Sequence, residues 1–301
     1  MKADTQRVSI RVIWTCVFCM SLSSVALADE NAFWQHWSDG KAEVSAYRVT
    51  QKRYNEYRDG TVFLIYVTEP FSKSRQIKVD YYDGKNPDHT IALKLNIIEN
   101  FQTGIYDYRL MTSHFFDAAN GLVPLKAVFS SQEWCGTAYE QINWLPKAPR
   151  IAINTYFEGV SLNTTLPKDS RLVDSLFVYG RGLLRGGPSN ATSFSGRWIE
   201  SAKQRRLAHR TANRYKAKPA FGFEKNIPTA MGTLKGRPLS FKRASGAKCT
   251  INFEIKSPYR VLGWQCSDGE TATLMGSMRT DYWSKTKQSD AALLKKLGVS
   301  P

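Results

Sequence analysis

The side chain best suited to nucleophilic chemistry is Cys135, which stands between Trp134 and Gly136 in the stretch FSSQEWCGTAYEQI. A catalytic thiol needs a base or a cation beside it to hold it as thiolate. Its nearest charged neighbours in the chain are Glu133 and Glu140, both of the wrong sign. The expected role is therefore structural: a small apolar group buried under Trp134 where the strand turns at Gly136, because free cysteine is among the most buried residue types. His36, His89, His114 and His209 are dispersed and form no His-x-x-x-His or Glu-x-x-His spacing. No Cys or His pair shows zinc-ligand spacing, and no Gly-x-Ser-x-Gly elbow precedes a helix. Neither a metal nor a cofactor nor a catalytic residue is expected. Carboxylate pairs of the glycoside-cleaving kind are built from distant residues, so an enzyme stays open without a candidate site.

The other thiols follow from the compartment. MKADTQRVSIR carries Lys2, Arg7 and Arg11 and leads into VIWTCVFCMSLSSVALA, an apolar run closing on small residues. Residues 1–28 read as a secretory signal peptide cut after Ala28, since Ala26-Leu27-Ala28 has the small-x-small form. The apolar core from Val12 to Leu22 falls well short of the roughly 20 residues a membrane-spanning helix needs, and no transmembrane segment is expected in the mature chain. The expected location is the periplasm. Cleavage removes Cys16 and Cys19 and leaves Cys135, Cys249 and Cys266 where disulfides persist. CTINFEIKSPYRVLGWQC alternates apolar and polar residues on both sides of Lys256-Ser257-Pro258-Tyr259, a hairpin pattern. A turn centred between Ser257 and Pro258 makes Cys249 and Cys266 direct cross-strand neighbours, close enough for a disulfide.

The elements that must position these groups are mostly strands. TVFLIYVTEP is a continuous apolar run, and QIKVDYY, TIALKLNII and RIAINTYF alternate in period 2. Turn chemistry such as Tyr82-Asp83-Gly84 and Ala119-Asn120-Gly121 separates them. Short strands without intervening amphipathic helices predict a mainly β fold: an antiparallel curved sheet, as a sandwich or half-barrel, with a few short helices. The helix candidates are SRLVDSLF, RWIESAKQRRLAH, and SDAALLKKLG with Ser289 as its expected N-cap and Gly298 as its stop. Gly104 is expected at a turn or bulge, with Tyr106 and Tyr108 on one strand face. The Gly/Ser/Asn-rich stretch 181–193 divides a β-rich region, 29–180, from a basic region, 181–301, containing the hairpin 249–266; the two are compatible with one continuous domain.

Charge separates these regions. The chain carries a formal net charge of +16; residues 29–180 hold 16 Lys and Arg against 18 Asp and Glu, whereas residues 181–260 hold 18 against 3. Lys203, Arg205, Arg206, Arg210, Arg214, Lys216 and Lys218 are the densest part and the candidate binding residues. In an exported protein such a lobe points to anionic lipid, lipopolysaccharide or peptidoglycan, or to a solvated face with no partner, and away from nucleic acid. One tyrosine, Tyr215, makes no stacking platform for single strands.

The strings WQHWSDGKAEVSAYRVTQKRY, GTVFLIYVTEPFS, LKLNIIENFQTGIYDYRLMTS, FSSQEWCG and YWSKTKQSDAALLKKLG resemble a family of exported bacterial proteins often called septum formation inhibitors. The likeness runs in order through nearly the whole mature chain and implies no activity. Maf proteins, whose name it borrows, are nucleotide pyrophosphatases with an N-terminal Ser-x-Ser-Pro-Arg-Arg stretch; this chain has none. The family pattern places His after Trp-Cys-Gly, and here that position is Thr137. The expected function is a non-catalytic binding or carrier role for an apolar or anionic envelope component, with a periplasmic hydrolase acting on an envelope polymer as the alternative.

Overall fold

The computed structural model describes residues 30–191 and 196–300; the signal peptide expected over 1–28 lies outside them. After a short helix, α1 (30–37), the chain runs as a meander of long strands. These are β1 (Ala42–Arg53), β2 (Glu56–Ser72), β3 (Ile77–Lys78), β4 (His89–Thr103), β5 (Tyr106–Asp117), β6 (Val123–Glu133), β7 (Gly136–Trp144), β8 (Pro149–Thr155) and β9 (Leu162–Thr165). A small sheet follows, of β10 (Arg171–Leu172), β11 (Gly196–Ile199) and β12 (Arg214–Ala217), with α2 (Leu176–Tyr179) and α3 (Ala202–Leu207) in its connections. The chain then returns to the large sheet through β13 (Ala220–Phe221), β14 (Lys225–Thr229), β15 (Gly232–Lys242), β16 (Lys248–Glu254), β17 (Val261–Cys266) and β18 (Thr271–Thr280).

The large sheet is antiparallel in every pairing along its path from β13 to β9 and does not close into a barrel. β1 pairs with β18 from Ala42↔Thr280 to Thr50↔Thr271, so the first and last strands meet mid-sheet. Curvature follows from what α3 touches. Its side chains reach Glu270 beside β18, Glu99 on β4 and Glu140 on β7. On a flat sheet β18 and β7 would stand about 29 Å apart, whereas a six-residue helix is only about 9 Å long. The sheet therefore curls around α2 and α3.

The concave face holds the main core. Tyr47, Tyr66, Leu93, Leu95, Phe116, Phe253 and Trp264 project inward on alternating positions and meet Leu176 and Val178 of α2. Tyr47 and Tyr66 satisfy their hydroxyls on the carbonyls of Val261 and Phe177. The convex face is covered only in part. There the C-terminal 3-10 helix, Gln288–Leu297, lays Leu297 against Ala42, Val44, Ile65 and Val67. Gly276 makes that approach possible, since a Cβ there would lie 2.7 Å from the Leu297 Cα.

Three expectations need correction at this level. QIKVDYY yields only the two-residue β3, and Tyr81 and Tyr82 are exposed, because the loop after β3 turns away before its alternation finds a partner strand. RWIESAKQRRLAH is a strand followed by a short helix, as Trp198 and Ile199 are drawn into the core through β11 pairing with β12. The cap of the C-terminal helix is Lys287 with Asp290, not Ser289, although Gly298 does end it in the left-handed region at φ 72°.

Candidate functional site

α3 is too short to be stable in isolation. Ser201 caps it by accepting a hydrogen bond from the Gln204 amide at 3.1 Å, and ion pairs tie each of its charged side chains to a different strand. Lys203 Nζ meets Glu99 Oε1 at 2.8 Å and Glu270 Oε2 at 3.5 Å. Gln204 Nε2 donates to Glu270 at 3.0 Å. Arg205 clasps both oxygens of Glu140, at 2.5 and 2.6 Å. Arg206 Nη2 donates to Glu133 at 2.6 Å.

Lys203 and Gln204 form one wall of a cavity of about 60 Å³ in the concave face. Its polar lining is Glu99, Asp174, Glu200, Lys203, Arg243 and Glu270; Phe177, Phe241 and Trp264 supply aromatic surface. Glu270 is the best-held of these groups. It accepts from Trp264 Nε1 at 2.8 Å and Arg243 Nη2 at 3.1 Å in addition to Gln204. Burial would raise its carboxyl, but Lys203 and Arg243 outweigh that and hold it at about 2. Burial would lower Lys203, and Glu270 and Glu99 keep it charged. Glu200 accepts from the amides of Ser201 and Ala244 at 3.1 and 2.8 Å.

Asp174 differs from the others. It sits on the 3-10 turn Val173–Ser175 with no cation in contact, and burial, then the charge of Glu200, pushes it up to about 7. His114 Nε2 lies 3.9 Å from its Oδ2. Burial drives that imidazole down to about 3, so at neutral pH this is a carboxyl beside a neutral ring, not an ion pair. His114 Nε2 and the Tyr215 hydroxyl are both buried without a hydrogen-bond partner. The cavity thus joins an ionised carboxylate, a carboxyl poised near neutrality and two cations. It can bind hydroxyl or amino groups, and it can give or take a proton at Asp174.

The basic run divides where sequence alone treats it as one patch. Lys203, Arg205 and Arg206 turn inward to carboxylates, and Arg214 pairs with Asp169 at 3.0 Å. Arg210, Lys216 and Lys218 are exposed. Cys249 and Cys266 face each other in register and are bridged as expected. The pairing runs in step from Cys249↔Cys266 to Asn252↔Gly263 and slips by one residue at a bulge before Phe253.

The expected burial of Cys135 is overturned. Trp134 and Cys135 form the exposed tip of the β6–β7 hairpin, with Trp134 70% exposed and leaning on Tyr106, centroids 6.1 Å apart. The strands end before the motif, so nothing packs over the thiol. Glu133 raises its pKa, first through a hydrogen bond to the thiol and also through its charge, against the opposing charges of Arg206 and Arg53. Gly136 is needed at this tip because a Cβ there would stand 2.9 Å from the Tyr156 side chain. Among the described residues no group of His, Cys, Asp and Glu is placed to hold a metal, and no helix is long and apolar enough to cross a membrane.

Glu99, Asp174, Glu200, Arg243 and Glu270 are the site residues that sequence reading misses. Only Glu99 carried a signal, as a charged residue at an inward position of the alternating strand Leu93, Leu95, Ile97. No protein-family model matches the chain, and no curated protein is similar to it.

Proposed function

We propose that this chain is an exported envelope protein that binds a small ligand bearing hydroxyl and amide N–H groups, of the N-acetylated amino-sugar kind found in peptidoglycan, in the cavity beneath α3. The observation that carries the reading is the concentration of buried charge there. Replacing buried ion pairs by apolar side chains is commonly neutral or stabilising, so stability does not require four carboxyls and two cations lining one small space. Perturbed groups gathered in this way are characteristic of functional sites. The interior an acyl chain would need is filled by Tyr47, Tyr66, Phe116 and Phe253. The remaining space holds about four waters' worth of volume and suits one edge of a sugar ring against Trp264.

A second reading has its own support. Asp174 at about 7 and Glu270 at about 2 line the same cavity, the divergence by which acid and base roles are assigned in hydrolases. Titrating an N-acetylglucosamine oligomer while following tryptophan fluorescence, with product analysis by mass spectrometry, separates the two. Saturable binding without cleavage is the expected result. Cleavage lost in Asp174→Asn, with binding kept, would move the assignment to the hydrolase. Absence of any response to the oligomer would sink both.

A further inference from the structure

On the other side of α3 lies a separate cavity of about 30 Å³, between the helix and strands β6 to β8. Its walls are largely carbon, from Phe129, Ile153, Phe157 and Val160. Its charged groups are Arg205, Arg206 and Arg210 against a single carboxylate, Glu140, and the His209 ring lies beside them. Arg205 is consumed, with Nη2 on Glu140 and Nε on the Glu200 carbonyl at 3.0 Å. Arg206 is not. It is 7% exposed, and among the described residues its Nη2 alone is used, on Glu133, while its Nε and Nη1 are buried without an acceptor.

The surroundings of that guanidinium are aromatic and apolar. The guanidinium lies 3.9 Å from the centroid of Phe157, so that ring caps it on one side. His209 meets the same ring edge-on at 4.9 Å, and the Arg210 amide is anchored on the Arg205 carbonyl at 2.9 Å. A buried guanidinium with unmet donors is costly, and an anionic oxygen is the partner that satisfies it best. From this geometry we infer that the cavity is an anion site: Arg206 takes the oxygens of a phosphate or carboxylate head group, and Phe129, Ile153 and Val160 take the apolar stem that carries it.

This site is distinct from the cavity on the Lys203 side and stands or falls separately. The test uses the full mature protein with arginine side chains labelled with ¹⁵N, and phenyl phosphate, phenylacetate, inorganic phosphate and vesicles containing phosphatidic acid as probes. The Arg206 Nε resonance is expected to shift saturably with phenyl phosphate or phenylacetate, and more weakly with inorganic phosphate. Arg206→Lys keeps a cation for Glu133 but removes the planar fork that holds donors at the Nε and Nη1 positions; it should retain the Tm and weaken binding by about ten- to hundredfold. A matching Nε shift with the vesicles identifies a lipid head group as a source of the same chemistry. An unmoved Nε resonance with every probe, equal affinity for inorganic phosphate and phenyl phosphate, or unchanged affinity in Arg206→Lys would each overturn the assignment.

Discussion

Asp174 and His114 lie side by side in the interior and respond to pH in opposite senses. The Asp174 carboxyl is raised from 3.8 to about 7 on folding. Its contribution to stability is therefore complete below pH 3.8 and lost as the pH rises through about 7. His114 is lowered from 6.5 to about 3. Its contribution is complete above pH 6.5 and lost as the pH falls toward 3. Between those limits the two slopes oppose each other, and wild-type stability should be flatter than that of either variant. Urea midpoints across pH 4 to 7 should show Asp174→Asn losing stability toward acid and His114→Gln losing it toward neutrality; a variant that keeps the wild-type slope contradicts the assigned pKa. Arg181 makes a different test of buried charge. It is fully buried, holds Glu43 through two hydrogen bonds of 2.8 and 2.9 Å and lies over the Tyr66 ring at 4.2 Å. Arg181→Met alone strands the Glu43 carboxylate and should cost about 3–5 kcal/mol in chemical denaturation, while adding Glu43→Leu should recover much of the loss. None of these pairings was legible in the sequence, because partners such as Glu43 and Arg181 are joined only by tertiary structure. Cys135 shows the same limit: its chain neighbours, Glu133 and Glu140, say nothing of its burial, which depends on what the rest of the chain lays over a hairpin tip.

At the scale of elements, legibility followed local order. Strands whose alternation is set by direct neighbours, such as TIALKLNII within β4 and the RIAINT of RIAINTYF within β8, could be read because one face meets the core, although β8 ends at Thr155, before the last two residues of that run. In the 249–266 hairpin the pairing of Cys249 with Cys266 could be read from two alternating arms about a central turn, but the bulge before Phe253 was not legible, and it moves the turn off the expected centre between Ser257 and Pro258. Its disulfide closes a loop with a sequence separation of 17. Replacing both cysteines by Ala should therefore lower stability by about 3 kcal/mol, seen as a fall in the urea midpoint, with any rise in m-value reporting the freed unfolded chain; no change on reduction or substitution would mean that the bridge constrains nothing. α3 was not legible as a separate element. RWIESAKQRRLAH is helical in propensity throughout, and pairing of β11 with β12 overrides that propensity in its first half. The exposed thiol adds a check on the β6–β7 tip: Cys135 should react fully with a thiol reagent in the folded protein, slowly at neutral pH and faster as alkali overcomes Glu133. Protection equal to that of a core residue would show the tip covered.

For the whole molecule, the sequence suggests a division near residue 180 by its charge, yet the large sheet crosses that line. β1 in the acidic-to-neutral region pairs along its length with β18 in the basic region, and β18 in turn carries β17 and β16. The inward cations of the basic region find their carboxylates on β4, β6 and β7, so the charge imbalance between the two stretches is what neutralises the interior they share. A split chain would leave β1 and β18 as long unpaired edges and would bury Glu99, Glu133 and Glu140 without Lys203, Arg206 and Arg205. The molecule should then unfold as one unit. Tryptophan fluorescence, which reports from Trp37 in the first region and Trp264 in the second, and far-ultraviolet circular dichroism should give coincident urea transitions. Fragments 29–180 and 181–301 expressed apart should each lack a cooperative transition. Two separated transitions in the intact chain, or a fragment that melts cooperatively alone, would mean that the β1–β18 seam joins two bodies that fold independently.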